Sequence, residues 1–292
     1  MLICAILYGA SPKNYYWFGF YDMDHSHRKT FVTHMMSEKI QKRCNDPAKT
    51  RLFQNKGLFY ETFEKYMGRR CLTTDQMSGP EKLTDLGAKI IYKPITGSQG
   101  FGIKVFDLND EEPEQVFETL IGLPAGVIES FLTQHKLMGE MSDAAVNIVR
   151  IVTGVVGQEV FVLGATVAFA RKLPYTNASG DAIFAIVDIR NGEIVSDGCD
   201  YEERIYQTHP VSGRRLMGFH IPFWNQILDL VRAAAMEVPE VRYVGWDIAI
   251  TENGPVIIEG NDDPGYEWMQ IYLINPSKTG KKGMYSVLLA KD

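Results

Sequence analysis

Two acidic residues and an amide late in the chain, Asp247, Glu259 and Asn261, have the types and spacing to hold a hard cation. They lie in residues 245–261, GWDIAITENGPVIIEGN, which read as two short strands joined at Glu252-Asn253-Gly254, a three-residue hairpin loop with glycine at the left-handed position. That turn pairs Thr251 with Pro255, and counting back sets Asp247 opposite Glu259. Alternation then gathers Asp247, Glu259 and Asn261 on one face and Ile248, Ile250, Val256 and Ile258 on the other, against a core. Opposed carboxylates, with β-carbons about 5 Å apart, repel each other unless a cation relieves them. A divalent ion bridging phosphates, magnesium above all, suits this oxygen set. A solvated acidic hairpin is the alternative, and a slip of one residue would part the pair.

A second motif points to phosphate. Residues 89–107, KIIYKPITGSQGFGIKVFD, read as strand, Gly-rich loop and strand, with Lys93 on the first strand. No helix follows the loop, which separates it from Walker A and dinucleotide fingerprints. Gly97, Gly100 and Gly102 suit a hairpin flap whose backbone N–H groups close over phosphates, Ser98 adds a hydroxyl, and Lys93 supplies positive charge. Alone the loop could be a structural turn. The lysine and the later carboxylate pair favour a nucleotide.

Together these features resemble the ATP-grasp superfamily, and within it the sugar-transfer-associated branch, over about residues 55–270. GWDIAITENGPVIIEGN carries most of the resemblance, with VNIVRIVT (146–153) and the HPVSG…IPFW region (209–224) in support. It implies an α+β chain with an ATP-grasp fold, two α+β lobes gripping the nucleotide behind a short lead. The corresponding segments are a lead over 1–54, a small lobe with the flap over 55–128, and a large lobe with the metal site over 129–292. It implies Lys56 and Lys93 as the nucleotide lysines and Ser98, Gln99, Gly100, Phe101 and Gly102 as the phosphate flap. Glu129, Ser130 and Phe131 become the hinge that reads adenine. Asp247, Glu259 and Asn261 become ligands for Mg²⁺, or Mn²⁺ in its place. Arg150 and Lys93 take the catalytic charge-stabilising roles, with a buried ion pair as the alternative for Arg150.

The pattern also departs from the family. Gln134 and His135 stand where an acidic residue would hold the ribose hydroxyls. The segment 171–181, RKLPYTNASGD, matches loosely, so Arg171, Asn177 and Gly180 carry over only as substrate contacts. His209 is either an amine-side base or a structural residue before Pro210. The chemistry implied is an ATP-dependent ligation of a small-molecule carboxylate to an amine through an acyl phosphate, on a small molecule or a surface-glycan precursor. A kinase of a sugar or polyol hydroxyl, or a non-catalytic nucleotide-binding partner of a glycan assembly complex, would use the same nucleotide apparatus.

The elements that must position these groups follow from periodicity. Helices are expected over 56–67, 113–121 and 222–237, the last with Trp224, Ile227, Leu228 and Val231 inward, and strands over 147–156, 159–171 and 182–189. The apolar start MLICAILYGA lacks a basic leader and is too short to span a bilayer, so a buried strand or packed helix is expected. No apolar run approaches a membrane span of about 20 residues. The 292 residues, 45% hydrophobic and 23% charged, are ordinary for a soluble globular protein, and a net charge of −6 argues against nucleic acid as a partner. Four cysteines without metal or close disulfide spacing suit the cytoplasm, and a homo-oligomer is left open.

Overall fold

The computed structural model describes residues 1–97, 100–171 and 182–290, so Ser98, Gln99, Asn177 and Gly180 lie outside the described residues. The chain divides into two compact units, Arg51–Thr133 and a larger one built from Met1–Thr50 with Gln134–Asp292.

In the smaller unit, β1 (Cys71–Thr73), β2 (Lys89–Pro94), β3 (Lys104–Asp107) and β4 (Gly126–Ser130) form an antiparallel sheet in the order β1-β4-β2-β3. Alternation along β2 buries Ile90 and Tyr92 in a core with Leu83, Val116, Leu120 and Ile128. It leaves Ile91 and Lys93 on the opposite side, with Glu129 paired to Ile91. The helix Pro113–Ile121 starts with proline, whose missing N–H costs nothing in a first turn. The helix Lys56–Met67 is capped by the Asn55 side chain, which accepts from Leu58 N at 3.1 Å, and stops at Gly68 with φ 56°. Between β2 and β3, Gly100 and Gly102 both hold φ 75°, a backbone state that side chains disfavour.

In the larger unit, β5 (Ile148–Val156), β6 (Glu159–Ala170), β7 (Ala182–Val187), β8 (Gly198–Cys199), β9 (Ile205–Tyr206), β10 (Tyr243–Thr251) and β11 (Gly254–Asn261) make one sheet ordered β11-β10-β5-β6-β7-β8-β9. The helix Trp224–Ala235 covers β5, β6, β10 and β11, burying Trp224, Ile227 and Val231 but leaving Leu228 only half-buried. A second core joins residues of the N-terminal fifty to the sheet: Phe18, Phe20 and Phe31 cluster with Val152, Met269 and Tyr285. Phe18, Phe20 and Phe31, from the segment read as a lead, thus pack within the larger unit.

Buried amides fasten this junction without leaving polar groups unmet. Asn45 Nδ2 donates to Tyr243 O and its Oδ1 accepts from Tyr243 N, both at 2.8 Å. Gln270 accepts from Val32 N at 3.0 Å and Lys281 N at 2.9 Å, and donates to Val32 O at 3.2 Å. The first helix, Leu2–Tyr8, departs from expectation. It forms, but only Cys4 is buried, while Leu2, Ile3, Ile6 and Leu7 face outward.

The late hairpin also closes differently from the reading by residue type. Thr251 pairs with Gly254 and Ile250 with Pro255, so the turn is one residue tighter than expected. A register shift between Asp247 and Ile248 restores the count, because Ile248 faces Ile257 while Asp247 still faces Glu259. The core face changes accordingly: Ile257, paired with Ile248, is fully buried, whereas Val256 and Ile258 are only half-buried. Ile257→Ala should therefore destabilise the protein by about 3 kcal/mol, and Val256→Ala or Ile258→Ala by about 1 kcal/mol or less, in guanidinium unfolding. Equal costs at the three positions would contradict this register.

Candidate functional site

In the larger unit one row of paired residues crosses four strands: Glu259 on β11, Asp247 on β10, Arg150 on β5 and Thr166 on β6. Asn261, paired with Gly245, stands one pleat further along the same face. Arg150 forks the Asp247 carboxylate: Nε donates to Oδ1, and Nη2 donates to Oδ2 at 2.8 Å. Its Nη1 donates to Pro264 O at 3.1 Å. Burial works against the guanidinium charge, but Asp247, with Glu259 and Asp263 behind it, holds the Arg150 pKa above its ordinary value. Asn261 Nδ2 donates to Glu259 Oε1 at 3.4 Å and to Gly245 O at 3.5 Å. Gly245 cannot carry a side chain here, since a β-carbon would lie 2.8 Å from Pro264 Cα.

The donor set is two carboxylates and an amide oxygen on one face, the hard-oxygen chemistry that magnesium prefers while keeping positions for water or phosphate. Among the described residues no three His, Cys, Asp or Glu side chains form a metal cage on their own. Asp263 was not singled out from sequence, although it directly follows the Asn261-Asp262 pair.

In the smaller unit the charges centre on Glu129. Its Oε2 accepts from Lys93 Nζ at 2.8 Å and from Arg69 Nε at 2.7 Å. Burial pushes this carboxyl up, yet the two cations outweigh it and hold the pKa down at about 2. The Glu129 side chain is thus committed to fixing Lys93. Ser130 Oγ donates to Leu86 O at 2.6 Å, and Phe131 N donates to Lys89 O at 3.0 Å. Lys56, the first residue of its helix, donates from Nζ to Gly97 O at 2.9 Å, so it meets the base of the flap. Phe101 at the flap is 88% exposed, free of any core role. Cys71, opposite Glu129, has its thiol pushed up to about 12 by burial and by that carboxylate, which rules it out as a nucleophile at neutral pH.

The family profile for sugar-transfer associated ATP-grasp proteins matches residues 35–276. The chain belongs to that family. Its two units give the α+β ATP-grasp fold. Among solved structures, the chain is similar to the ATP-grasp ligase PsnB complexed with a minimal precursor, at 17% identity and TM-score 0.44 over 75% of this chain and 55% of that one. It is similar to an L-amino acid ligase from Bacillus licheniformis, at 12% identity and TM-score 0.47 over 76% and 43%. A D-alanine–D-alanine ligase from Bacillus anthracis aligns at 9% identity and TM-score 0.48 over 87% and 73%. The chain spans about half the length of the first two, 55% and 43%. No curated protein matches the sequence.

In this ATP-grasp chain the positions that depart from the family pattern have structural work. Gln134 Oε1 accepts from Asn147 N at 2.9 Å and Nδ2 at 3.0 Å. His135 accepts at Nδ1 from Leu137 N at 3.1 Å and pairs with Glu252 at 3.7 Å. His209 is fully buried, donates from Nε2 to Ala170 O at 3.1 Å and accepts at Nδ1 from Ser212 N at 3.4 Å. Burial lowers its pKa, so it is a neutral anchor with both nitrogens engaged. Arg171 Nη1 donates to Tyr206 OH at 2.8 Å and Asp200 Oδ2 at 3.1 Å. Among the described residues no helix is long and apolar enough to cross a membrane.

Arg69 is the partner that sequence reasoning missed, because nothing local links it to a carboxylate at |i−j| = 60. Since the folded pKa of Glu129 is about 2 against an ordinary 4.5, its contribution to stability is present above pH 4.5 and lost as pH falls towards 2. Glu129→Gln should cost on the order of 3 kcal/mol at pH 7 and flatten the acid limb of a guanidinium-unfolding pH series. An unchanged acid limb would remove Glu129 from this role.

Proposed function

We propose that this chain is an ATP- and magnesium-dependent ligase that joins a carboxylate to an amine through an acyl phosphate, on a small molecule or a surface-glycan precursor. The observation that carries the reading is the opposed Asp247–Glu259 pair, with Asn261 and Arg150 on the same face, in a chain of the ATP-grasp family.

Asp247, Glu259 and Asn261 would hold the magnesium. When bound, the ion neutralises phosphate oxygens and orients the triphosphate. Arg150, kept charged by Asp247, stabilises the negative charge on the transferring phosphoryl group and on the acyl oxygen it joins. Lys93, immobilised by Glu129, and Lys56, at the base of the flap, neutralise the remaining phosphates. The backbone N–H groups around Gly100 and Gly102 close over the nucleotide and keep water from the acyl phosphate, which otherwise hydrolyses. In the second step the amine nitrogen bonds to the acyl carbon, the carbon–oxygen bond to phosphate breaks, and phosphate leaves as the amide forms. His209 takes no proton in this scheme, because both its ring nitrogens are already bonded.

Asp247→Asn or Glu259→Gln should lower magnesium-dependent ADP formation by about 10²-fold or more. Turnover equal to that of the unaltered chain would refute the metal assignment. One free phosphate should appear with each ADP only when carboxylate and amine are both supplied. Phosphate retained on the product would mark a kinase, and AMP with pyrophosphate would overturn the acyl-phosphate route.

A further inference from the structure

Beside the Arg150 row lies a cluster that the nucleotide chemistry leaves unused. Lys13 Nζ sits 4.0 Å from the centre of the Trp17 ring, 5.4 Å from that of Tyr201 and 5.9 Å from that of Trp268. The Glu267 carboxylate lies 3.5 Å from the same nitrogen. Three aromatic faces and one carboxylate therefore converge on a single ammonium, the arrangement by which proteins recognise alkylammonium groups. Trp17 and Trp268 are 7% and 9% exposed, and Phe184 stacks on Trp268 at 3.7 Å, so the walls are fixed by packing. Tyr201, 44% exposed, leaves one side of the cage open to solvent. The position is informative. A β-carbon placed on Gly265 would lie 3.5 Å from Arg150 Nη1 and 3.7 Å from Trp268 Cδ1, so cage and guanidinium border the same point.

We infer that this cage is the recognition subsite for a cationic group of the amine co-substrate, and that Lys13 is its tethered resident, displaced when that substrate binds. The assignment of the ligand as co-substrate rests on the ligase reading, whereas ammonium binding by the cage does not. Selectivity follows from the walls: aromatic π-faces with one carboxylate favour an alkylammonium over a carboxylate or a neutral sugar hydroxyl. Lys13 competes as an intramolecular cation, and its side chain is 37% exposed, so it can swing into solvent.

The experiment is a titration with tetramethylammonium chloride, using sodium chloride at equal ionic strength as control, read on the indole N–H signals of ¹⁵N-labelled protein. Trp224 and Trp246 serve as internal controls, since their indoles donate to Ile189 O and Thr153 Oγ1 in the core. In Lys13→Ala the emptied cage should bind tetramethylammonium roughly three- to tenfold more tightly than in the unaltered chain, shifting Trp17 and Trp268 alone. Adding Tyr201→Leu or Glu267→Gln to Lys13→Ala should abolish the gain. Lys13→Gln gives the same comparison should the alanine variant fold poorly. Affinity in the Lys13 variants no tighter than in the unaltered chain, or equal shifts at all four indoles, would overturn the proposal. Since the titration needs no nucleotide turnover, failure of a ligase assay leaves its outcome intact.

Discussion

The register shift between β10 and β11 at Asp247 and Ile248 decides on which side of the sheet Glu259 stands. Ile257 and Glu259 are two positions apart, and in an unbroken strand they would share a face. The first belongs in the apolar core and the second beside Arg150; a regular strand would have to bury the carboxylate or expose the isoleucine. Burying an unpaired charge is far costlier than exposing an alkyl side chain, so the ladder gives way by one residue instead. On the same face Pro264 closes over Gly245, and Arg150 forks Asp247.

The two units solve their charge problems with opposite surpluses. In the smaller, two cations, Lys93 and Arg69, share the one carboxylate of Glu129. In the larger, Asp247, Glu259 and Asp263 all act on the single guanidinium of Arg150. The first balance leaves a net positive charge and the second a net negative one, the signs that the proposed phosphate and metal roles require. Neither surplus is a surface effect, because Glu129 and Asp247 are both largely removed from solvent.

Much of this was legible in the residues themselves. The helices Lys56–Met67 and Pro113–Ile121 fall where periodicity sets them, and the partners Asp247 and Glu259 face each other as expected. The route to that pairing was not legible. Ile258 is as apolar as its neighbours, and residue type carries no mark of a bulge, so a longer turn gave the same pairing for the wrong reason and misplaced Val256 and Ile258 on the core face. The commitment of Glu129 to Arg69 and Lys93 was equally hidden, since long-range ion pairs leave no periodic trace. The burial of residues near the start of the chain rests on amides, Asn14, Asn45 and Gln270, whose partners cannot be named from type alone.

The bonds of Gln270 to Val32 and to Lys281 have a further consequence. The unit they seal is discontinuous, and its aromatic interior draws on residues as far apart as Phe18 and Tyr285. During synthesis the inserted stretch Arg51–Thr133 emerges whole, with every strand of its sheet in hand. The segments before it complete their apolar packing only once partners such as Met269 and Tyr285 have been made. Folding of the larger unit is thus tied to long-range closure, whereas the inserted one is complete within contiguous sequence.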